Sequence, residues 1–262
     1  MTLPQFLLRA EGIAKRFGGV QALDQVSFGI APGEIYGLIG PNGAGKTTLF
    51  NVLAGAHRPA AGTVRIFGHP PGGDTCIAYV PQRSKVDWAF PASAAEVVMM
   101  GRIREIGPLR WPGRRDWEIV RSALNQVGLA DLSRRPIGEL SGGQQQRVFL
   151  AQALAQEAEL ILLDEPFTGL DFPSQEALFV VLDSLRAAGV TELVATHDLN
   201  LAAERFDSVM LLNRRLVAFG RPADVLTREH LVQAYGGHVH VLPEGDLLVL
   251  TDTCCEGDEG EA

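Results

Sequence analysis

The octapeptide "GPNGAGKT", Gly40–Thr47, decides the fold of this 262-residue chain. It fits the pattern G-x-x-x-x-G-K-[S/T] at each specified position. The preceding apolar run "IYGLIG" is typical of a buried strand, and Thr47–Ala54 has the composition of a helix. A strand, a glycine-rich loop and a helix in this order form the setting in which the pattern binds phosphate. The stretch therefore predicts a phosphate site at the start of a helix in an α/β domain.

The specified residues of this loop each have a chemical role. Gly40, Gly43 and Gly45 let backbone N–H groups converge on phosphate oxygens, and the helix N-terminus adds the positive end of its dipole. Lys46 reaches the β- and γ-phosphates, and Thr47 offers its hydroxyl to Mg²⁺. An ordinary glycine turn before a helix is the alternative, but it leaves the motifs described next unexplained.

A pair of carboxylates follows a second apolar strand. Leu160–Leu163 ends in Asp164 and Glu165, which places both acids at the carboxyl edge of a sheet, where open α/β folds bind ligands. We expect Asp164 to hold Mg²⁺ through water. Glu165 is the candidate general base for the attacking water, a role worth roughly 10²–10⁴-fold in rate. Acidic pairs after strands also serve as helix caps, and the phosphate loop favours the catalytic interpretation here.

A third motif, "LSGGQQQR", Leu140–Arg147, begins another helix. Ser141, Gly142 and Gly143 place backbone donors at its N-terminus, which again indicates phosphate binding. One chain does not need two independent cradles for one γ-phosphate. The second cradle is explained if it serves a nucleotide held by another subunit.

The remaining segments predict an α/β chain with a helical insert. Alternating apolar residues over Leu7–Phe17 and Ala22–Ile30 indicate strands in a β-rich opening. Pro91–Glu139 carries helical spacing without a convincing strand. After it, "AELILLDEP" and "ELVATHD" predict strands, Pro173–Ala188 a helix, and "VMLLN" with "RLVAFG" a hairpin.

Composition excludes several classes of protein. The chain is 46% hydrophobic, which suits one large domain or a core plus a lobe, and its net charge of −8 argues against a bare nucleic-acid binder. No apolar run approaches the ~18 residues of a membrane span, and the first residues do not form a signal peptide. The cysteines, Cys76, Cys254 and Cys255, fit a reducing compartment. We therefore expect a cytoplasmic protein whose membrane contact goes through a partner.

Together these motifs resemble the ATP-binding subunit of ABC transporters, from about Leu8 to Gly236. The resemblance implies a P-loop NTPase (RecA-like) core with an antiparallel β subdomain and an inserted α-helical subdomain. It also implies ATP hydrolysis by a head-to-tail homodimer in which "LSGGQ" completes the partner's ATP site. The implied catalytic residues are Glu165, His197 and Gln82, and the implied Mg²⁺ ligands are Thr47, Gln82 and Asp164. The implied nucleotide-binding residues are Phe17, Gly40, Pro41, Asn42, Gly43, Ala44, Gly45, Lys46, Thr47, Thr48, Ser141, Gly142, Gly143, Gln144 and Asp171.

The loop within "YVPQRSKVDWAFPASAAEVVMMGR", Tyr79–Arg102, predicts the contact with membrane permease subunits. In the family this region receives the permease, and Trp88 and Phe90 supply large contact area between two prolines. The alternative is that Trp88 and Phe90 pack into the helical lobe. The amino-acid sequence of this stretch is similar to that found in the ATP-binding subunits of importers of manganese, zinc or ferrous iron. Those importers are served by an external binding protein. Thr196 departs from that subfamily, where a second histidine is common before His197.

Three other functions fit parts of the sequence. They are the ATPase of an iron-siderophore or haem importer, a soluble ABC ATPase outside transport, and a regulatory nucleotide-binding module. We expect one ATPase domain over residues 1–240, with the helical subdomain at about 91–155, and a C-terminal extension over 241–262 with an acidic, disordered tail. A metal role for His238 and His240 is the less favoured alternative to a short terminal strand or hairpin, and the sequence assigns no role to Cys254 and Cys255.

Overall fold

The computed structural model describes residues 6–72, 77–86, 88, 90–236, 239–241 and 248–250. Its strands are β1 Leu8–Phe17, β2 Val20–Ile30, β3 Ile35–Ile39, β4 Ala61–Ile66, β5 Ile77–Val80, β6 Leu160–Asp164, β7 Thr191–Thr196, β8 Ser208–Asn213, β9 Arg215–Gly220, β10 Val239–Val241 and β11 Leu248–Leu250. Its α-helices are α1 Lys46–Leu53, α2 Ala94–Met99, α3 Ile103–Ile106, α4 Arg114–Gln126, α5 Gly142–Ala155, α6 Phe172–Ala187, α7 Leu199–Arg205, α8 Pro222–Val225 and α9 Arg228–Tyr235. The predictions for Cys76, His238, Cys254, Cys255 and most of the acidic extension lie outside the described residues.

A six-stranded sheet in the order β5-β6-β7-β3-β8-β9 forms the centre of the fold. Its pairs are parallel except β8 with β9. Because successive side chains of a strand point to opposite faces, β3 divides its residues between two cores. Ile35 and Ile39 pack on the face that α5 and α6 cover, whereas Tyr36 and Leu38 pack with α1. Apolar side chains on both faces explain why β3 and β6 are entirely buried.

A three-stranded antiparallel sheet, β2-β1-β4, covers the second face. Helix α1 lies between this sheet and the central one, and its Leu49, Phe50 and Leu53 are fully buried. The helix that follows the phosphate loop is therefore fixed by apolar contacts with both sheets. Such packing holds the start of the helix, and with it the loop, in one position.

Helices α2 to α5 follow β5 and precede β6 in the chain, and together they form the helical lobe. Its apolar side chains join one core with the central sheet and α6. Arg102 is buried at the centre of the lobe, where its Nη1 donates to the Ala155 carbonyl oxygen at 2.9 Å and pairs with Glu157 at 2.7 Å. A buried guanidinium needs such partners, and these bonds join the segment between α2 and α3 to the end of α5.

The C-terminal part contains helices that the sequence patterns did not predict. Helices α7, α8 and α9 are short, and they pack against β3, β8 and β9. The backbones of β10 and β11 pair antiparallel, so of the terminal strand or hairpin expected for this segment the structure has two paired strands. Within the described chain, none of the helices is both long enough and apolar enough to cross a membrane.

Candidate functional site

The loop Gly40–Thr47 runs from the end of β3 into the first turn of α1. Gly45 has a φ of 101° and precedes the helix, and a Cβ there would lie 2.5 Å from the Ala22 carbonyl oxygen. Only glycine fits this position, because it combines a left-handed backbone with close contact to β2. Lys46 is buried, and its Nζ donates to the carbonyl oxygens of Gly40 at 2.6 Å and Pro41 at 3.2 Å. The ammonium group is thus held inside the curve of the loop.

Asp164, at the end of β6, faces the first turn of α1. Its Oδ2 accepts hydrogen bonds from Thr47 Oγ1 at 2.9 Å and from the Tyr79 hydroxyl at 3.2 Å. Burial and then the neighbouring Asp164 charge raise the pKa of Tyr79, so the phenol stays protonated and donates. The hydroxyl and the carboxylate are the hard oxygen donors that Mg²⁺ prefers, and they lie in contact. The residues present therefore fit a magnesium ion bound between Thr47 and Asp164.

Glu165 lies beside Asp164 but has different partners. Its Oε2 accepts hydrogen bonds from Gln82 Nε2 and Thr168 Oγ1, each at 3.2 Å, and lies 3.8 Å from His197 Nδ1. Its backbone has a φ of 52° and its N–H donates to the Ala195 carbonyl oxygen at 3.0 Å. A non-glycine residue in this conformation is uncommon and occurs often at functional sites. The bend turns the Glu165 side chain away from that of Asp164 and toward Gln82 and His197.

His197 is carried by the turn between β7 and α7. The Thr196 hydroxyl accepts a hydrogen bond from the Asp198 N–H at 3.1 Å, and Asp198 caps α7 through the Leu201 N–H at 3.0 Å. The His197 side chain remains 60% exposed. Thr196 thus stabilises the turn that presents the histidine, although it departs from the residue common in the metal importers.

Most of these residues line one pocket of about 540 Å³; Gly40 and Asp164 are not among its described lining residues. Predicted site residues that line it are Pro41, Asn42, Gly43, Ala44, Gly45, Lys46, Thr47, Thr48, Gln82, Glu165 and His197. Val20, Gln21, Ala22 and Arg214 line it as well, and the sequence patterns did not identify them. The first three follow the β1–β2 turn, and only their nearness to Phe17 in the chain could have indicated them.

Phe17 lies at the end of β1 and is 46% exposed. Its ring meets that of His57 edge to face, with centroids 5.6 Å apart, and Lys15 Nζ lies 5.2 Å from its centroid. Phe17 is not among the described residues that line the pocket. An exposed ring at this rim is available for stacking on a base, so its role stays a prediction.

The second predicted cradle, Ser141–Gln144, begins α5. Ser141 and Gln144 form a reciprocal cap, in which Ser141 N–H donates to Gln144 Oε1 at 2.9 Å and Gln144 N–H to Ser141 Oγ at 3.3 Å. Gly143 contacts α6, where a Cβ would lie 2.6 Å from Ser174 Oγ. Asp171 caps α6 through the Ser174 N–H at 3.3 Å. A hydrogen bond from the Ser174 side chain, and to a lesser degree the one from its backbone N–H, lowers the pKa of Asp171. None of residues 141–144 is among the described residues lining the pocket.

A comparison with families of known proteins agrees with this arrangement. A family model described as "ABC transporter" matches residues 23–168, more than half of the chain. The chain belongs to the ABC transporter family. Its predicted family and its α/β fold with a P-loop NTPase core are thereby confirmed, and the ABC cassette is an ATP-binding and ATP-hydrolysing unit.

Relatives of this ABC protein match nearly all of it. It is 42% identical over 240 residues to the manganese transport system ATP-binding protein MntB of Bacillus subtilis, covering 91% of this chain and 96% of the relative. It is 46% identical over 220 residues to the zinc transport system ATP-binding protein TroB of Treponema pallidum, covering 83% of each.

Solved ABC structures share the same fold. A metal-chelate type ABC transporter in an inward-facing conformation matches with a TM-score of 0.79 at 30% identity, covering 88% of this chain and 89% of the other. An ATP-binding cassette in its ADP conformation also matches with a TM-score of 0.79, at 27% identity, covering 89% of this chain and 100% of the other.

The loop after Gln82 packs against the helical lobe of this ABC cassette. The Trp88 ring meets Phe149 edge to face at 5.6 Å, and its Nε1 donates to the Arg83 carbonyl oxygen at 3.1 Å. The alternative that Trp88 packs into the lobe is therefore the one observed. Phe90 is 54% exposed and lines an apolar groove of about 270 Å³ together with Met100 and other residues of the lobe. Phe90 rather than Trp88 offers a free face.

Proposed function

We propose that the chain is the ATP-hydrolysing subunit of an importer for a divalent metal ion: manganese, zinc or iron. The observation that carries the proposal is the similarity, over most of both chains, to ATP-binding proteins named for manganese and zinc transport. The pocket supports it, because its lining contains Lys46, Thr47, Glu165 and His197, and Asp164 is hydrogen-bonded to Thr47. These relatives favour a metal ion over a siderophore or haem as cargo, and they argue against a function outside transport.

Within one protomer, each residue has a defined task in hydrolysis. Lys46 and the backbone N–H groups of the loop bind the β- and γ-phosphates. Thr47 and Asp164 would hold Mg²⁺, which when bound neutralises phosphate charge. Glu165 takes a proton from the attacking water, and its hydrogen bond with Gln82 orients the carboxylate. His197, close to Glu165 and exposed to the pocket, donates to the γ-phosphate.

The second cradle supports a homodimer with composite sites. Because residues 141–144 do not line the pocket of their own chain, the N–H groups of Gly142 and Gly143, which the cap does not use, are available to a nucleotide held by another copy. The cap formed by Ser141 and Gln144 orders this helix start before any ligand binds. ATP closes the dimer by joining the phosphate-loop pocket of one copy to residues 141–144 of the other, and hydrolysis of ATP reopens the dimer.

The apolar groove supports contact with the membrane permease. Two of its lining residues, Val86 and Phe90, follow Gln82 closely in the chain, so a movement at the γ-phosphate reaches the groove through a short segment. Phe90 and Met100 give the exposed apolar area that protein interfaces bury. In this arrangement the chain lies on the cytoplasmic face of the membrane, and an external metal-binding protein delivers the ion to the permease.

Whole-cell metal content tests the proposed cargo. Cells whose only copy carries Glu165→Gln are grown under manganese, zinc or iron limitation, and each metal is measured by mass spectrometry. Glu229→Gln, an exposed glutamate on α9, is the matched control. A fall in one metal with Glu165→Gln alone names the cargo. Unchanged levels of all three would contradict the metal-importer proposal, and a deficit seen only with an iron chelate would favour the chelate importer.

A further inference from the structure

Arg214 occupies the turn between β8 and β9, and that turn is joined to the phosphate loop. The Arg214 N–H donates to the Ala44 carbonyl oxygen at 2.8 Å. The Arg214 carbonyl oxygen accepts a hydrogen bond from the Asp24 N–H on β2, also at 2.8 Å. The backbone of Arg214 is therefore fixed from two sides, beside the loop that precedes α1.

The conformation of this turn is unfavourable for arginine. Arg214 has a φ of 57°, in the left-handed region that glycine and asparagine adopt more easily. A turn that required only this backbone shape would be built better with glycine. The side chain at position 214 thus calls for an explanation beyond the turn itself.

The side chains of Arg214 and Arg215 differ in their surroundings. Arg215 Nε donates to Asp24 Oδ2 at 2.6 Å, so its charge is paired on the surface. The exposed Arg214 side chain makes no hydrogen bond or ion pair with the part of the chain that the structure describes, and it lines the same pocket as Lys46. Two cations, Lys46 and Arg214, thus border a pocket whose only carboxylate among the described lining residues is Glu165.

We propose that Arg214 is a further substrate-binding residue, whose guanidinium donates hydrogen bonds to the phosphate chain of ATP in this pocket. The planar guanidinium matches phosphate oxygens in charge and geometry. A triphosphate brings several negative charges to a chain of net charge −8, so a second cation at the pocket offsets repulsion that Lys46 alone does not. This inference rests on the proposal that the pocket holds ATP.

The contact acts on binding rather than on the reacting bond. The Arg214 backbone is joined to the loop at Ala44, whereas the proposed base Glu165 has Gln82, Thr168 and His197 as its partners. An interaction made equally in the ground state and the transition state changes KM and leaves kcat unaltered. We therefore expect removal of the guanidinium to raise KM for ATP.

The test uses the full chain and three variants, with ATP, ADP and AMP as ligands in calorimetric titrations. Arg214→Gly removes the guanidinium and relieves the unfavourable φ, so the turn is retained. Arg214→Lys keeps the charge, and Arg215→Gly removes the neighbouring arginine. We expect Arg214→Gly to weaken ATP binding roughly five- to tenfold at low salt, with a smaller effect on AMP and an unchanged kcat. Arg214→Lys should recover most of the affinity, and Arg215→Gly should bind ATP as the unmodified chain does.

The outcomes separate this inference from the pocket proposal. Undiminished ATP affinity in Arg214→Gly, or an equal loss in Arg215→Gly, overturns the assignment of Arg214. Lys46→Ala is measured alongside: if it also binds ATP normally, the pocket itself is misassigned. Loss of binding in Lys46→Ala with normal binding in Arg214→Gly overturns the further inference alone.

Discussion

Glu165 shows how one residue is prepared for proton transfer. Its carboxylate is only 15% exposed, accepts two side-chain hydrogen bonds and lies near a histidine that is mostly exposed. Glutamine has the same shape and can keep the bonds from Gln82 and Thr168 to its amide oxygen. Substitution of Glu165 by glutamine therefore removes the base while the pocket is preserved.

The Glu165→Gln variant should lose ATP turnover by at least about 10²-fold and still bind ATP normally. Phosphate release measures turnover, and calorimetry measures affinity. Glu229→Gln again serves as the control and should retain full activity. Unimpaired hydrolysis by Glu165→Gln would show that another group accepts the proton.

A second glutamate, Glu192 on β7, has the opposite environment. It pairs with Ile35 and Ile161 of the neighbouring strands and is fully buried. Neither carboxylate oxygen has a hydrogen-bond partner in the described part of the chain. Burial raises the pKa of Glu192 from 4.5 to about 9; Asp183 and Asp207 add to the rise and Arg186 opposes it. Glu192 is therefore protonated in the folded protein at neutral pH.

Because its pKa is higher in the folded chain, the contribution of Glu192 to the stability of the protein should decrease as the pH increases. Below pH 4.5 both folded and unfolded chains hold the proton, and between 4.5 and about 9 only the folded chain does. The contribution of Glu192 to the free energy of unfolding should therefore fall by up to ~1.4 kcal/mol per pH unit across that range. Glu192→Gln removes this dependence, so its advantage over the unmodified chain should grow from pH 5 to pH 8. Parallel urea titrations measure this, and a constant difference would contradict it.

The sequence predicted the site residues that lie within motifs better than the pocket residues that come from distant parts of the chain. Lys46, Thr47, Asp164 and Glu165 follow from motifs, because a short chain segment fixes the chemistry of each. Arg214 was missed because its place depends on the pairing of β8 with β3, which brings a distant turn to the loop. No local pattern carries that information.

At the scale of secondary structure, the contact between α5 and α6 couples stability to the second cradle. Gly143 is buried against Ser174, one turn into α6. A methyl group at position 143 would lie 2.7 Å from Ser174 Cβ, far inside ordinary contact. The two helices approach closely because the first carries glycine here.

We expect Gly143→Ala to lower the free energy of unfolding by about 1–3 kcal/mol through overpacking. Adding Ser174→Gly removes the colliding atoms and should restore part of that stability, with Ser174→Gly alone as the control. Chemical denaturation of the four proteins gives the coupling between the sites. Strictly additive effects would show that α5 and α6 are not in contact at this point.

Buried apolar strands were predicted from the sequence more readily than short helices. Strands β3, β6 and β7 are entirely buried and apolar enough to show in the sequence. Helices α7, α8 and α9 have at most eight residues, too few turns to show a helical period clearly. Their caps, Asp198 and Thr227, are visible only with hindsight because such residues also begin ordinary turns.

At the scale of the whole molecule, the proposed dimer divides each ATP site between two chains. This division follows from the separation of the loop pocket and the start of α5 within one protomer. A chain defective in one half of the site can therefore be complemented by a chain defective in the other half. The sequence suggested this arrangement by carrying two cradles, but the partners themselves do not follow from the fold of one chain.

Mixing two inactive variants tests the composite site. Lys46→Ala lacks the phosphate lysine, and Ser141→Arg blocks the second cradle with a large side chain. Each variant alone should be inactive, whereas an equal mixture should recover a measurable part of the ATPase rate, because half of the mixed dimers' sites are intact. Size-exclusion chromatography verifies that both variants fold. A mixture as inactive as its components would contradict the head-to-tail dimer.

Trp88 gives the protein an internal fluorescence reporter. Its indole lies against Phe149 of the lobe and is bonded to the segment that follows Gln82. The chain has three tryptophans, and Trp111→Phe with Trp117→Phe leaves Trp88 as the only one. If ATP moves this loop relative to the lobe, the emission spectrum of Trp88 in that double variant shifts, and the rate of the shift gives the rate of the movement. The experiment needs neither a dye nor the permease.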